Sequence, residues 1–382
     1  MNYARRSQEL KKRFSLSQRV DLQDSGIEIH PCVFHTTKPN TAILTFQKEL
    51  PISDFCQITD DRIEENSSFN YFIFRSKDSL KSDNAILLLH GLNERKWDKY
   101  LVWAEYLTLQ TGRPVVLFPI AFHMNRSPDS WFNPRQIMPW LSRRKEDLGE
   151  VNNSSFANLA LSSRLSNNPF RFYVSGKETI YNLCQFVSEI QKGEHVYFKA
   201  NTKIDIFAYS IGALLAQVIL LANPQKLFSE TKLFMFCGGS IFNEMNGNAK
   251  DIMDQHAYDK MHGYFISDFI ANKELPSAFQ DDEIDKAFKM MIRQDVCKEE
   301  RENFFSKACH RIKAISLKQD IVMPTYGIIK ALGKASSKIL SELDFPFPYS
   351  HQCPFPATST SADIDRNFKS IFNTASDFFK IY

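Results

Sequence analysis

The sequence predicts an α/β fold: a mostly parallel central sheet covered by helices on both faces, with a helical lid inserted over it. Three observations carry this. Apolar runs that read as buried strands stand at 85–89 and 115–118, and further strands follow at 233–236 and 312–317. Segments with helical spacing alternate with them, as right-handed crossovers between parallel strands require. A β-rich stretch at 204–209 also passes straight through Ser210 into an Ala- and Leu-rich helix former.

In chain order, residues 1–80 read as a polar leader followed by the first strands of the sheet, with β-rich runs at 41–46 and 71–74. Five apolar residues closed by His90-Gly91 make the next strand. Trp97, Leu101, Ala104 and Leu107 then stand at helical spacing, and Gly112 and Pro114 end that helix. Ser175 and Glu178 form a capping box ahead of a stripe made by Ile180, Leu183, Cys184, Val187 and Ile190. A final amphipathic helix starts at Asp363 or Asp365 and carries Phe368, Ile371, Phe372, Ala375 and Phe379.

Two stretches break the alternation. Residues 123–174 show little periodicity and many Asn, Ser and Arg, and are expected to be a loop insertion. Residues 241–311 are helical and rich in Met and Phe (Met245, Met253, Met261, Phe265, Phe269, Phe279, Phe288). Long insertions of this kind sit at the carboxyl ends of strands, so this segment is expected to be the lid. At each single position its aromatic and Met residues read as helix packing before they read as a ligand box. The core is thus expected over 81–240 and 312–382.

Composition excludes several classes. A chain of 382 residues with 43% hydrophobic and 24% charged residues is of ordinary globular composition. A net charge of +3 over that length argues against a nucleic-acid surface. The 7 cysteines are scattered, odd in number and without C-x-x-C spacing, which suits a reducing compartment better than a disulfide framework or a zinc site. The first residues lack the apolar core of a signal peptide, and no apolar run is long enough to span a bilayer. A cytoplasmic protein without stable membrane insertion is expected. No metal or organic cofactor is indicated, and the oligomeric state is left open.

The chemistry concentrates at Ser210. Ala208 and Gly212, two residues to either side, leave room for a sharp strand-to-helix turn that lifts the hydroxyl above the sheet. The N–H of Ile211 then opens a helix, a place suited to stabilising an oxyanion. This stretch resembles the nucleophile elbow of α/β-hydrolases, with Ala in place of the first glycine of G-x-S-x-G. Asp320 follows the strand at 312–317 and precedes Pro324, and this resembles the acid loop of the same superfamily. His351, in a loop that holds Pro346, Pro348, Pro354 and Pro356 just before the last helix, stands where that fold carries its base. The order Ser210, Asp320, His351 therefore implies a triad. His195, His256, His262 and His310 fit the base's place less well.

By the same resemblance the strand ending at His90-Gly91 carries the oxyanion loop, and the N–H of Leu92 pairs with that of Ile211. His90 is expected to hydrogen-bond this loop rather than transfer protons. His90, Gly91, His123, Arg126 and Tyr209 are expected to border a small-molecule acyl substrate. Arg126 and Arg135 with Trp131 suit a carboxylate or phosphate, the alternative being a solvated loop with one buried aromatic anchor. The resemblance covers residues 85–382 and names no single family within the superfamily. It implies a serine hydrolase, esterase- or lipase-like, acting on an ester, thioester or amide. The alternative is a ligand- or partner-binding protein of the same fold without turnover.

Overall fold

The computed structural model describes residues 2–37, 43, 59–271, 282–357 and 361–380. A nine-stranded sheet runs through it: β1 Val20–Leu22, β2 Ile27–His35, β3 Ser68–Ser76, β4 Ser82–Leu89, β5 Val115–Leu117, β6 Phe198–Tyr209, β7 Leu233–Phe236, β8 Ile312–Leu317 and β9 Leu340–Leu343. Their spatial order is β1-β2-β3-β5-β4-β6-β7-β8-β9. The pairings from β1 to β3 and from β3 to β5 are antiparallel, and all others are parallel.

The exchange of β4 and β5 decides where a site can form. From β4 the chain crosses to one side to make β5, then returns past β4 to make β6. Crossovers therefore diverge at the carboxyl end of β4, which lies beside β6 with Leu88 opposite Phe207 and Leu89 opposite Ala208. A crevice at such a switch point is the usual ligand site of an open α/β sheet. This order, with its antiparallel leading strands, is that of an α/β-hydrolase sheet extended at one edge by β1.

Strand alternation divides the core in two. Ile206 and Ala208 of β6 face one layer, whereas Phe207 and Tyr209 face the other. The second layer is closed by α1 Tyr3–Arg13, α2 Asp98–Thr111 and α11 Ala362–Lys380. The first is closed mainly by α5 Arg171–Gln191 and α6 Ile211–Ala222. Ala85–Leu89 are 0% exposed, as expected for an unbroken apolar run covered on both faces.

Several expectations need correction. The polar leader is in part a docked helix: Tyr3 and Leu10 of α1 are buried, and Arg6 Nε donates to the buried Glu105 Oε2 of α2 at 2.7 Å. The run at 41–46 lies outside the described residues apart from Ile43. The segment 123–174 contains α3 Pro134–Leu148 and α4 Leu159–Asn167 besides the start of α5. The capping box does not form. Helix α5 begins five residues earlier, because Phe172, Tyr173 and Val174 bury themselves, and the Ser175 hydroxyl donates to the carbonyl of Ala121 at 2.9 Å.

The segment 241–311 holds α7 Gln255–Tyr264, a single π turn at Phe265–Phe269, α8 Glu283–Met290 and α9 Lys298–Ala308; Phe279 lies outside the described residues. Helix α7 packs on α4 and α8 on α6, whereas α9 packs on α10 Thr325–Leu332 beside the sheet. The covering part is accordingly shorter than 241–311, and the first insertion shares in it.

Candidate active site

Strand β6 ends at Tyr209 and α6 begins at Ile211, so Ser210 is the whole connection. Its backbone stands at φ 57°, ψ −125°, a region that costs a non-glycine residue roughly 1–3 kcal/mol. Two glycines let the surroundings hold it there. A Cβ at Gly212 would lie 2.8 Å from the carbonyl oxygens of Leu89 and His90, and one at Gly238 would lie 2.6 Å from Ser210 O and 2.8 Å from Ser210 N. The elbow is thus wedged between the ends of β4 and β7.

Ser210 Oγ is 2.6 Å from His351 Nε2, and His351 Nδ1 is 2.7 Å from Asp320 Oδ2. Asp320 Oδ1 accepts the N–H groups of Val322 and Met323, each at 2.9 Å. With Nδ1 donating to the carboxylate, Nε2 is left as the acceptor for the serine hydroxyl. All three side chains are buried.

The loops that deliver them are tied to each other. Tyr209 OH donates to the carbonyl of His351, and the two rings lie nearly parallel with centroids 5.6 Å apart. Tyr349 OH accepts the N–H of Gln319 at 3.0 Å and donates to Asp344 Oδ1 at 2.9 Å, joining the acid and base loops. Lys99 of α2 donates to Gln352 O at 3.0 Å and pairs with Glu94 on the loop after β4.

Both ring nitrogens of His90 are engaged. Nδ1 donates to Gly91 O at 2.8 Å and Nε2 accepts the N–H of Ile120 at 2.9 Å. Complete burial holds its pKa well below the ordinary histidine value, so it is a neutral brace. The N–H of Gly91 is spent on Tyr100 OH at 3.0 Å, and that hydroxyl donates to Glu94 Oε1 at 3.0 Å. A Cβ at Gly91 would come within 3.3 Å of Ser210 Cβ. Leu92, Ser210 and Ile211 line a small pocket together with Phe242, Met245, Met253 and Met261.

Two expected substrate contacts are elsewhere. Arg126 is fully buried. It donates to Pro119 O, Asn66 O, Glu178 Oε1 and Asn182 Oδ1, with its guanidinium 4.0 Å from the centre of the Phe69 ring. It is a core tie between β3 and α5, and Arg135 is exposed on α3. Tyr209 points into the layer under α2 and α11, where it braces His351. His123 and Trp131 do line a larger apolar cavity that adjoins the small pocket at Leu92, Phe172 and Ile211. Among the described residues no group of His, Cys, Asp and Glu is arranged to hold a metal ion, and no helix is long and apolar enough to cross a membrane.

A model for a family of unknown function, DUF6051, matches residues 1–380. The chain belongs to the DUF6051 family. No curated protein matches it. Among solved structures it is similar to an esterase from Mycobacterium marinum, at 10% identity over 99% of this chain and 88% of that one, with a TM-score of 0.47. It is also similar to a carboxyl esterase from the fungus Tuber melanosporum, at 10% identity over 98% and 97%, with a TM-score of 0.44. A thermostable esterase from Pseudomonas putida ECU1011 gives 10% identity over 100% and 92%, with a TM-score of 0.42. The fold assignment of this DUF6051 chain rests on its own strand order.

Several residues with a part in the site carry no local mark in the sequence: Lys99 and Tyr349, which reach loops from distant strands, Glu94 and Tyr100, which brace the loop after β4, and Gly238, which reads simply as a strand end. Gly238 had one available signal. A glycine pair directly after a buried strand marks a close backbone approach as well as a stop.

Proposed function

We propose that this protein is a serine hydrolase that cleaves a carboxylic ester, thioester or amide through an acyl-enzyme. The observation that supports it most is the unbroken chain Ser210 Oγ–His351 Nε2–Asp320 Oδ2, with contacts of 2.6 and 2.7 Å, at the head of a strained strand-to-helix turn.

In this reading the hydroxyl proton passes to His351 Nε2 as Ser210 Oγ attacks the substrate carbonyl. Asp320 holds the imidazole in register and stabilises its cation. The N–H groups of Leu92 and Ile211 receive the oxyanion, each worth ~3–4 kcal/mol of barrier. Collapse breaks the bond to the leaving group, which takes the proton from His351. A water then gives a proton to His351, attacks the acyl carbon, and releases the carboxylic acid with Ser210 restored. The roof over the pocket acts as the lid, and the free cysteines fit a cytoplasmic location.

Labelling with a fluorophosphonate probe tests this directly. Ser210 is expected to be the modified serine, and Ser210→Ala to abolish the label. A folded wild-type protein that stays unlabelled overturns the reading. p-Nitrophenyl esters of graded chain length then measure the acyl preference.

A further inference from the structure

The larger apolar cavity shares Leu92, Phe172 and Ile211 with the pocket that holds Ser210, and two helix faces run inward from there. On α6 its wall passes from Ile211, the residue after Ser210, through Leu214 and Leu215 to Val218, roughly 10 Å at 1.5 Å per residue. On α5 it passes from Phe172 through Gly176 to Ile180, positions about one turn apart on a single helix face. Phe288 of α8 joins them.

This wall offers a polar ligand little to bind. Arg164 holds both oxygens of Asp60, and Arg171 Nε donates to Asp60 Oδ2. Ser175 donates to Ala121 O, Asn93 donates to Ala157 O and Asp251 O, and Glu94 accepts from Tyr100. His123 Nδ1 donates to Ala121 O, and its Nε2 is buried out of a ligand's reach. The surface left for a ligand is aliphatic and aromatic, which suits a chain without polar groups.

Gly176 is the gap in the α5 face. Among the described residues a Cβ built there meets Phe288 Cε2 alone, at 4.0 Å, an ordinary van der Waals contact. The residue keeps accessible surface while Val174 and Lys177 are buried. A glycine inside a helix is less favourable than an alanine, and neither a positive φ nor a close neighbour requires one here. What the missing side chain provides is room. One turn in from Phe172, a larger residue would stand across the path that follows α6 from Ile211 to Val218. We propose that the cavity receives an aliphatic chain of the substrate and that Gly176 sets the length that fits. The substrate is then an ester, thioester or amide with a medium-length aliphatic chain in its acyl or its alcohol or amine half. This rests on the serine-hydrolase reading above.

Two ester series on the wild-type protein test it: p-nitrophenyl esters from acetate to palmitate, and acetates of linear alcohols from ethanol to dodecanol. In one series kcat/KM is expected to climb about fourfold per methylene and to fall beyond a medium-length optimum; that series also tells which half enters. Gly176→Leu is expected to move the optimum to shorter chains and to lower the ratio of long-chain to short-chain kcat/KM about tenfold. Gly176→Ala is expected to shift it the same way by less, with the Tm raised by about 1–2 °C. Turnover that is flat in both series overturns the proposal and leaves the hydrolase reading standing, and this comparison needs no variant to fold. An optimum unmoved in both variants overturns it, and so does a lowered Tm in Gly176→Ala, because the glycine then serves the fold. If Ser210 resists the fluorophosphonate probe, the hydrolase reading falls. Calorimetry with octanol on the wild-type protein and Gly176→Leu then decides the cavity's role, and equal affinities overturn it.

Discussion

Ser210 holds φ 57° because glycine at 212 and 238 lets the ends of β4 and β7 close on it. Gly238→Ala puts a methyl 2.6 Å from a carbonyl oxygen of the elbow, an atom that cannot move without turning Ser210. Loss of fluorophosphonate labelling is expected, together with a destabilisation of about 1–3 kcal/mol in urea unfolding. Asp320 poses a different question, since an amide fits its place but cannot keep His351 in the tautomer that leaves Nε2 bare. Asp320→Asn is expected to lower kcat on the order of 10⁴-fold with the Tm little changed. A loss of less than tenfold would mean that some other group orients the imidazole.

At the scale of elements, α2 is the clamp between the loop after β4 and the loop that carries His351. Lys99 pairs with Glu94 on the oxyanion side and donates to Gln352 O on the histidine side, while Tyr100 takes the N–H of Gly91. One helix turn thus sets the distance between the loop of the proposed oxyanion donors and that of the proposed base. Lys99→Met removes both of its links without touching Ser210, Asp320 or His351. The expected result is a fall in kcat of about tenfold with KM nearly unchanged, partial recovery in Lys99→Arg, and continued labelling of Ser210. An unchanged kcat would show that the two loops hold their spacing without it. Helix α1 supports the same region from behind, with the Tyr3 ring 5.7 Å from Phe355, four residues past His351.

The whole molecule has an acid-sensitive core. His90 is held well below the ordinary value, and His123 and His195 are each pulled down to about 4, all by burial. His195 Nδ1 accepts the N–H of Tyr197 at 3.1 Å, a bond that a second proton destroys. Between about pH 6.5 and about pH 4 the unfolded chain protonates these rings and the folded one does not. Stability is therefore lost as pH falls, by roughly 3 kcal/mol for each of His123 and His195 at the 1.36 kcal/mol per unit of linkage. Asp285, pushed up to about 7 by burial, works in the opposite sense. The rise from 3.8 to about 7 offsets slightly more than one histidine. The urea midpoint is expected to drop steeply from about pH 7 to about pH 5, and a flat profile there would contradict this balance.

Local signals reached far into this fold. Unbroken apolar runs marked β4, β5 and β7, because a strand covered on both faces has no position where a polar side chain is cheap. The small neighbours of Ser210 and the prolines around His351 marked a turn and a stiff loop, since those backbone shapes exclude most other residues. What stayed hidden depends on which surfaces meet. Arg126 read as a ligand for anions until the carbonyls of Pro119 and Asn66 and the side chains of Glu178 and Asn182 closed around it. Ser175 read as a helix cap until the burial of Phe172, Tyr173 and Val174 drew the helix back to Arg171. His123, with Nδ1 bound to Ala121 O and Nε2 buried without a partner, is of the same kind: whether a buried acceptor has a partner is a property of assembled neighbours, set by contacts between residues far apart in the chain.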